Sequence, residues 1–152
     1  MSGLDSLYQE LILDHSKSRE GYGLADENVG TSATSHQRNP VCGDEITLRV
    51  RVQDDVVLDV TWEGAGCAIS QASASMLASL VQDVRDEGGM PRAEASVLID
   101  GFRTAMRSRG TIALDEETFS DAAALSGVSR YTARVKCAML AWVAFEDALS
   151  RT

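Results

Sequence analysis

Three cysteines and one aspartate have the residue types and spacing for metal chemistry. Cys42 and Asp44 flank a glycine in the stretch Asn39-Pro40-Val41-Cys42-Gly43-Asp44, Cys67 follows Gly64-Ala65-Gly66, and Cys137 lies far downstream. Zinc is held by thiolate, imidazole and carboxylate ligands, four at a time in a tetrahedral shell. The glycine between Cys42 and Asp44 permits both side chains to turn toward one ion. Cys42, Asp44, Cys67 and Cys137 are therefore expected to converge on a single metal ion. Three thiolates and a carboxylate around a divalent cation leave an excess of negative charge. Arg134, three residues before Cys137, shares its helical face, and Lys136 precedes it directly. Both are candidates to offset that charge by donating hydrogen bonds to sulfur or carboxylate.

The spacing leaves other readings open. It is not the paired Cys-x-x-Cys of a zinc ribbon. Three cysteines is an odd number, which argues against a secreted disulfide scaffold. In a reducing compartment, dispersed cysteines are metal ligands, catalytic thiols or small buried side chains. A carboxylate is held less firmly than a fourth thiolate would be. The set thus points to a site that exchanges ligands, with a closed structural zinc site as the competing reading.

The elements that must position these residues follow from hydrophobic periodicity. Ile46, Leu48, Val50 and Val52 alternate with Thr47, Arg49 and Arg51, a strand with one buried face. Asp54-Asp55 makes a turn. Val56, Leu58, Val60 and Trp62 then alternate with Val57, Asp59 and Thr61 in a returning strand. The resulting hairpin has Cys42 and Asp44 at its entrance and Cys67 just past its exit, so it brings them side by side. A helix is predicted from about Ser70 to Val84, with Ser70 as N-cap. Cys67 then stands just before a helix N-terminus, where backbone N–H groups favour a thiolate. Ala72, Ser73, Ala74 and Ser75 allow close approach of a neighbouring segment. The last helix is predicted over about Ser129 to Leu149, with Cys137 near its beginning and Val135, Met139, Trp142, Val143 and Leu149 inward.

Elsewhere, Leu4, Leu7, Tyr8, Leu11 and Ile12 recur at helical spacing, with His15 and Lys17 in or near the last turn. Residues 18 to 41 contain Gly21, Gly23, Gly30 and Pro40 without a clear period and read as a long loop. His36 lies in it as a solvated side chain. Pro91 starts a helix carrying Val97, Leu98, Phe102 and Met106. Asp115 opens a short one carrying Phe119, Ala122, Ala123 and Leu125.

A chain of 152 residues is long enough to bury a real core and is read as one domain, 1–152. Its 14 basic and 23 acidic side chains give a net charge of -9, which repels phosphate backbones and argues against nucleic acid as a partner. No apolar run is long enough to cross a bilayer, so no membrane partner is expected. The N-terminus lacks the pattern of a signal peptide, which predicts a cytoplasmic protein.

Three motifs carry a resemblance that covers nearly the whole chain: Asn39-Pro40-x-Cys42-Gly43-Asp44, Gly64-x-Gly66-Cys67-x-Ile69-Ser70-x-Ala72-Ser73-x-Ser75-Met76, and Arg134-x-x-Cys137-Ala138-x-Leu140-x-Trp142. In this order they resemble the IscU/NifU-N family of iron–sulfur cluster assembly proteins. The resemblance implies an α+β fold, a small antiparallel sheet of about three strands with helices packed on it; two strands are evident from the residues. The sequence is most similar to the SufU-type branch. Scaffold members carry a His directly before the last cysteine, where this chain has Lys136, and the long segment 85–130 also fits SufU-type proteins. The resemblance implies Zn²⁺ held by Cys42, Asp44, Cys67 and Cys137. It implies a SufS-type cysteine desulfurase as sulfur donor and Suf scaffold proteins downstream. Cys42 is the implied sulfur acceptor: once displaced from zinc by a desulfurase residue, its thiolate attacks the desulfurase persulfide, as in thiol–disulfide exchange. Whether such an acceptor counts as an enzyme, a sulfurtransferase, stays open. Two alternatives remain at this point: a scaffold that builds a [2Fe–2S] cluster on the same four residues, and a binding module whose zinc is structural.

Overall fold

A computed structural model of the chain describes residues 3–27, 30–41 and 43–152, with side chains from residue 6 onward. Cys42 lies outside the described residues. In chain order the elements are α1 (Gly3–Ser18), β1 (Thr31–Arg38), β2 (Glu45–Gln53), β3 (Val56–Ala65), α2 (Ala68–Asp83), β4 (Met90–Pro91), α3 (Arg92–Met106), α4 (Glu116–Phe119) and α5 (Thr132–Ser150). Short 3₁₀ segments at Arg85–Glu87 and Ser120–Arg130 link α2 to β4 and α4 to α5. The fold is α+β, as expected, with one antiparallel sheet in the order β1-β2-β3-β4. The strand number is four rather than about three, because two-residue β4 pairs with Val56 and Val57 at the far edge.

The β2–β3 hairpin forms where the alternation placed it. Asp54 and Asp55 both have positive φ (53° and 65°), as a two-residue type I′ turn requires. Pairing then runs from Gln53↔Val56 back to Glu45↔Ala65. The inward set of β3 differs from the simple alternation. The register shifts at Arg51/Val52, so that Val52 faces Val57 while Arg51 faces Asp59. Leu58 is the extra residue of this bulge, which changes the face presented on either side of it. Val57, Val60 and Trp62 are therefore the buried apolar residues of β3, not Val56 and Leu58. Asp59 is left to pair with Arg51.

β1 corrects the reading of 18–41 as loop. Its sequence, Thr-Ser-Ala-Thr-Ser-His-Gln-Arg, has no apolar alternation, yet it pairs in full with β2 from Thr31↔Val52 to Arg38↔Glu45. Polar contacts stabilise this edge strand instead. Buried Ser35 donates to Asp147 of α5 at 2.6 Å, and Arg49 donates to Thr34 Oγ1 at 3.0 Å. His36 is exposed and meets Glu45 at 2.9 Å.

The helices cover one face of the sheet. Ile46, Leu48, Val50 and Val52 from β2 join the core, where β2 packs against α5 and β3 against α2. Trp142 of α5 stacks on Phe102 of α3 with centroids 4.2 Å apart and planes 8° from parallel. Its indole N–H donates to Ser73 Oγ at 3.2 Å, and Ser73 donates to Ala138 O at 2.6 Å. The small residues of α2 thus allow α5 to approach. One expectation about inward residues fails: Val143 is 37% exposed, and on α3 Val97 faces outward at 69%. Ala105, Phe145 and Ala148 fill the corresponding core positions. α1 docks on α2 as an amphipathic helix would, tied by His15, whose ring nitrogens lie 2.7 Å from Ser75 Oγ and 2.9 Å from Asp121 Oδ2. Tyr8 donates to Glu116 at 2.6 Å, which pushes its phenol up to about 12. Among the described residues no helix is long and apolar enough to cross a membrane.

Candidate metal centre

The mouth of the β2–β3 hairpin makes the site. Glu45 and Ala65 are the last paired residues, so Asp44 and Cys67 are adjacent as the chain enters and leaves the sheet. Cys67 N donates to Asp44 Oδ1 at 3.1 Å, and Cys67 Sγ lies 3.8 Å from Asp44 Oδ2. Gly66 is required at this crossing. A Cβ there would lie 2.5 Å from both Asp44 Oδ1 and Ser70 Oγ, so any side chain would expel the carboxylate.

Helix α2 starts at Ala68, two residues before the expected start, and Cys67 itself is its N-cap, with extended backbone (φ -70°, ψ 169°). Ser70 lies in the first turn. Its hydroxyl donates to Cys67 O at 3.0 Å and sits 4.0 Å from Cys67 Sγ, fixing the cysteine from the helix side. The signal for this role in the sequence was a serine one helical turn after the cysteine. Cys137 arrives from the first turns of α5 and is fully buried.

The ligand atoms of Asp44, Cys67 and Cys137 all lie within 4.8 Å of one another. Burial pushes the Cys137 thiol well above its ordinary value, and its contacts with Asp44 and Cys67 push the same way. A buried thiol beside a second thiol and a carboxylate holds its proton unless a cation replaces it. This donor set fits a borderline-soft divalent ion: soft sulfur plus one carboxylate oxygen, from three separate elements. Arg134 and Lys136 are both exposed, and among the described residues neither hydrogen-bonds to Asp44 or Cys67. Cys42 is not described, so the structure places three of the four expected ligands.

The loop between β1 and β2 surrounds position 42. Asn39 N donates to Asp44 O at 2.8 Å, Gly43 N to Asn39 O at 2.8 Å, and Val41 N to Asn39 Oδ1 at 3.2 Å. Gly43 has φ +75°, a left-handed conformation natural for glycine. Asn39 is only 4% exposed, yet among the described residues its Nδ2 has no hydrogen-bond partner. A buried donor left unpaired costs about 1–3 kcal/mol. Asn39 was part of the sequence motif, but no role had been read for it there.

The fold agrees with those of known proteins. The NifU-like N terminal domain matches residues 7–138. Over 99% of this chain and 94% of its own length, the zinc-dependent sulfurtransferase SufU of Bacillus subtilis (strain 168) is 33% identical. An iron–sulfur cluster assembly scaffold protein IscU from Streptococcus pyogenes serotype M1 is 35% identical over 100% of this chain and 88% of its own. The crystal structure of a nitrogen-fixing NifU-like protein (N-terminal) from Brucella abortus superposes with a TM-score of 0.79 at 26% identity, covering 99% of this chain and 96% of that one. With a matching domain across most of its length and such relatives over nearly all of it, the chain belongs to the NifU-like N-terminal domain family, whose members work in iron–sulfur cluster assembly.

Proposed function

We propose that the protein is a zinc-dependent sulfur-transfer protein of iron–sulfur cluster assembly that accepts persulfide sulfur on Cys42 from a SufS-type cysteine desulfurase. The observation that carries this reading is the convergence of Asp44, Cys67 and Cys137 within 4.8 Å at the mouth of the hairpin. Similarity to a SufU named as a zinc-dependent sulfurtransferase supports zinc as the ion. Lys136, where scaffold members carry His, points the same way.

Cys42, Asp44, Cys67 and Cys137 would hold Zn²⁺, with Arg134 and Lys136 offsetting its anionic ligands. When bound, zinc keeps the cysteines deprotonated at neutral pH and guards them from oxidation. The Cys42 thiolate attacks the outer sulfur of the desulfurase persulfide. A new S–S bond forms on Cys42, the old one breaks, and the desulfurase cysteine leaves as a thiolate, so there is no net oxidation. Asp44, Cys67 and Cys137 stay in place, because each is anchored by a strand end or a helix. Suf scaffold proteins would take the sulfur onward in the cytoplasm.

The reading predicts about one zinc per chain, no visible absorbance, and strong stimulation of desulfurase turnover that is lost in Cys42→Ala. Full stimulation by Cys42→Ala would overturn it. The second reading, a scaffold for a [2Fe–2S] cluster on the same residues, is favoured by the similarity to proteins named IscU. A stable cluster passed from this protein to an apo-acceptor would establish that alternative.

A further inference from the structure

Ser70 makes a hydrogen bond that its partner does not need. Its hydroxyl donates to Cys67 O at 3.0 Å, but Gln71 N already donates to the same carbonyl at 3.1 Å, as the first backbone bond of α2. Cys67 is the N-cap, so Ser70 is the third residue of the helix. In a capping box the side chain at that position reaches back to the N-cap N–H. Here Asp44 Oδ1 has taken that N–H at 3.1 Å. The hydroxyl is thus spare on the backbone side, and its oxygen lies 4.0 Å from Cys67 Sγ. Ser70 is 6% exposed, so little water competes for it. A Cβ on Gly66 would lie 2.5 Å from both Ser70 Oγ and Asp44 Oδ1, so hydroxyl and carboxylate share one side of the turn that carries Cys67. A thiol that keeps its hydrogen meets this hydroxyl as a weak donor. A sulfur bound to a cation has no hydrogen and is a strong, anionic acceptor. Rotation about one C–O bond turns the Ser70 hydrogen from carbonyl to sulfur, and the carbonyl keeps Gln71 N.

We infer that Ser70 is a positioning residue of the metal centre, whose hydroxyl donates to the Cys67 sulfur when the ion is bound. This rests on the proposed reading of Asp44, Cys67 and Cys137 as zinc ligands. The hydrogen bond holds the sulfur in one orientation and stabilises its negative charge. Ser70 thereby helps to keep Cys67 on the ion while another ligand leaves it.

The test separates the bond to sulfur from the bond to the backbone. Ser70→Ala removes the hydroxyl and leaves the Gln71 bond to Cys67 O in place. It is expected to weaken zinc about 10–100-fold in chelator competition, the loss typical of outer-shell partners. The metal-free variant should unfold at nearly the wild-type temperature, with the loss appearing in the zinc-loaded form. In the Co²⁺-substituted protein, the thiolate-to-cobalt absorption should move to longer wavelength in Ser70→Ala, because an unbonded thiolate is more electron-rich. A Cys67→Asp background keeps an N-cap acceptor but removes this sulfur. There Ser70→Ala should leave the remaining thiolate bands in place. Wild-type zinc affinity in Ser70→Ala would overturn the inference. So would equal destabilisation with and without metal, an unmoved cobalt band, or an undiminished shift in the Cys67→Asp background. If Cys67→Ala itself binds zinc as tightly as wild type, the parent reading of the metal centre fails, a result distinct from any produced by Ser70→Ala alone.

Discussion

Cys137 and Trp142 stand five residues apart on α5 and are both fully buried, but their surroundings are built on opposite principles. At Trp142 every demand is met within the chain. Its ring stacks on Phe102, its indole N–H has Ser73, and Ser73 passes its own hydrogen on to Ala138 O. At Cys137 the surroundings are polar and rich in metal-binding groups. A buried thiol faces another thiol and a carboxylate, and the nearby loop encloses an unpaired amide. Trp142 stabilises the fold through these contacts. Cys137 sits in a cluster of donors that fits a cation, and such buried polar clusters mark functional sites.

The largest expected effect is at Trp142. Trp142→Ala should lower stability by about 3–5 kcal/mol, the range for removing a large buried aromatic. The loss should be the same with and without zinc. A loss that zinc repairs would break the distinction between the two positions.

The next effect is at Cys137 and has the opposite signature. Cys137→Ala should abolish tight zinc binding, measured by chelator competition, while costing the metal-free protein less than about 1 kcal/mol in urea unfolding. Zinc affinity of the wild type should also rise with pH. The Cys137 thiol is pushed up by burial, so at neutral pH binding must release its proton, and fewer protons remain to displace as pH rises. Affinity that is flat between pH 6 and about 8 would remove the buried thiol from the ligand set.

The smallest effect sharpens the boundary between them. Ser35→Ala should cost about 1 kcal/mol through the lost bond to Asp147, and should leave zinc binding unchanged. Ser35, with Arg151 assisting, holds the Asp147 carboxyl below its usual range. A depressed folded value means this contribution is complete above the unfolded carboxyl value of about 3.9 and is lost as pH falls through the folded one. The difference between wild type and Ser35→Ala should therefore shrink only below about pH 4 in acid-unfolding curves. A difference that persists to pH 2 would assign the effect to packing.

Much of the site was legible because it depends on local patterns. The alternation from Ile46 to Val52 and the Asp54-Asp55 turn define a hairpin, and a hairpin necessarily brings its ends together; Asp44 and Cys67 follow from that. β1 was illegible because an edge strand joined to α5 through Ser35 and Asp147 needs no apolar alternation. The face reversal in β3 was hidden for a related reason. A bulge at Leu58 is a choice of register between two strands, and neither strand shows it alone. Asn39 was visible as a motif residue, but an unpaired Nδ2 is a property of an enclosed loop and has no sequence signature.

The sequence by itself determined the ligand types, the family motifs and the hairpin that pairs Asp44 with Cys67, because these rest on residue chemistry and short-range geometry. Only the tertiary structure decided that Cys137 meets them, that Gly66 leaves no room for a Cβ beside the carboxylate, and that Asn39 is buried with a hydrogen still to give. Those facts depend on tertiary packing. The place of Cys137 follows from α5 packing on α2 and the sheet, where Trp142 meets Ser73 and Ser73 meets Ala138, through contacts between residues far apart in the chain.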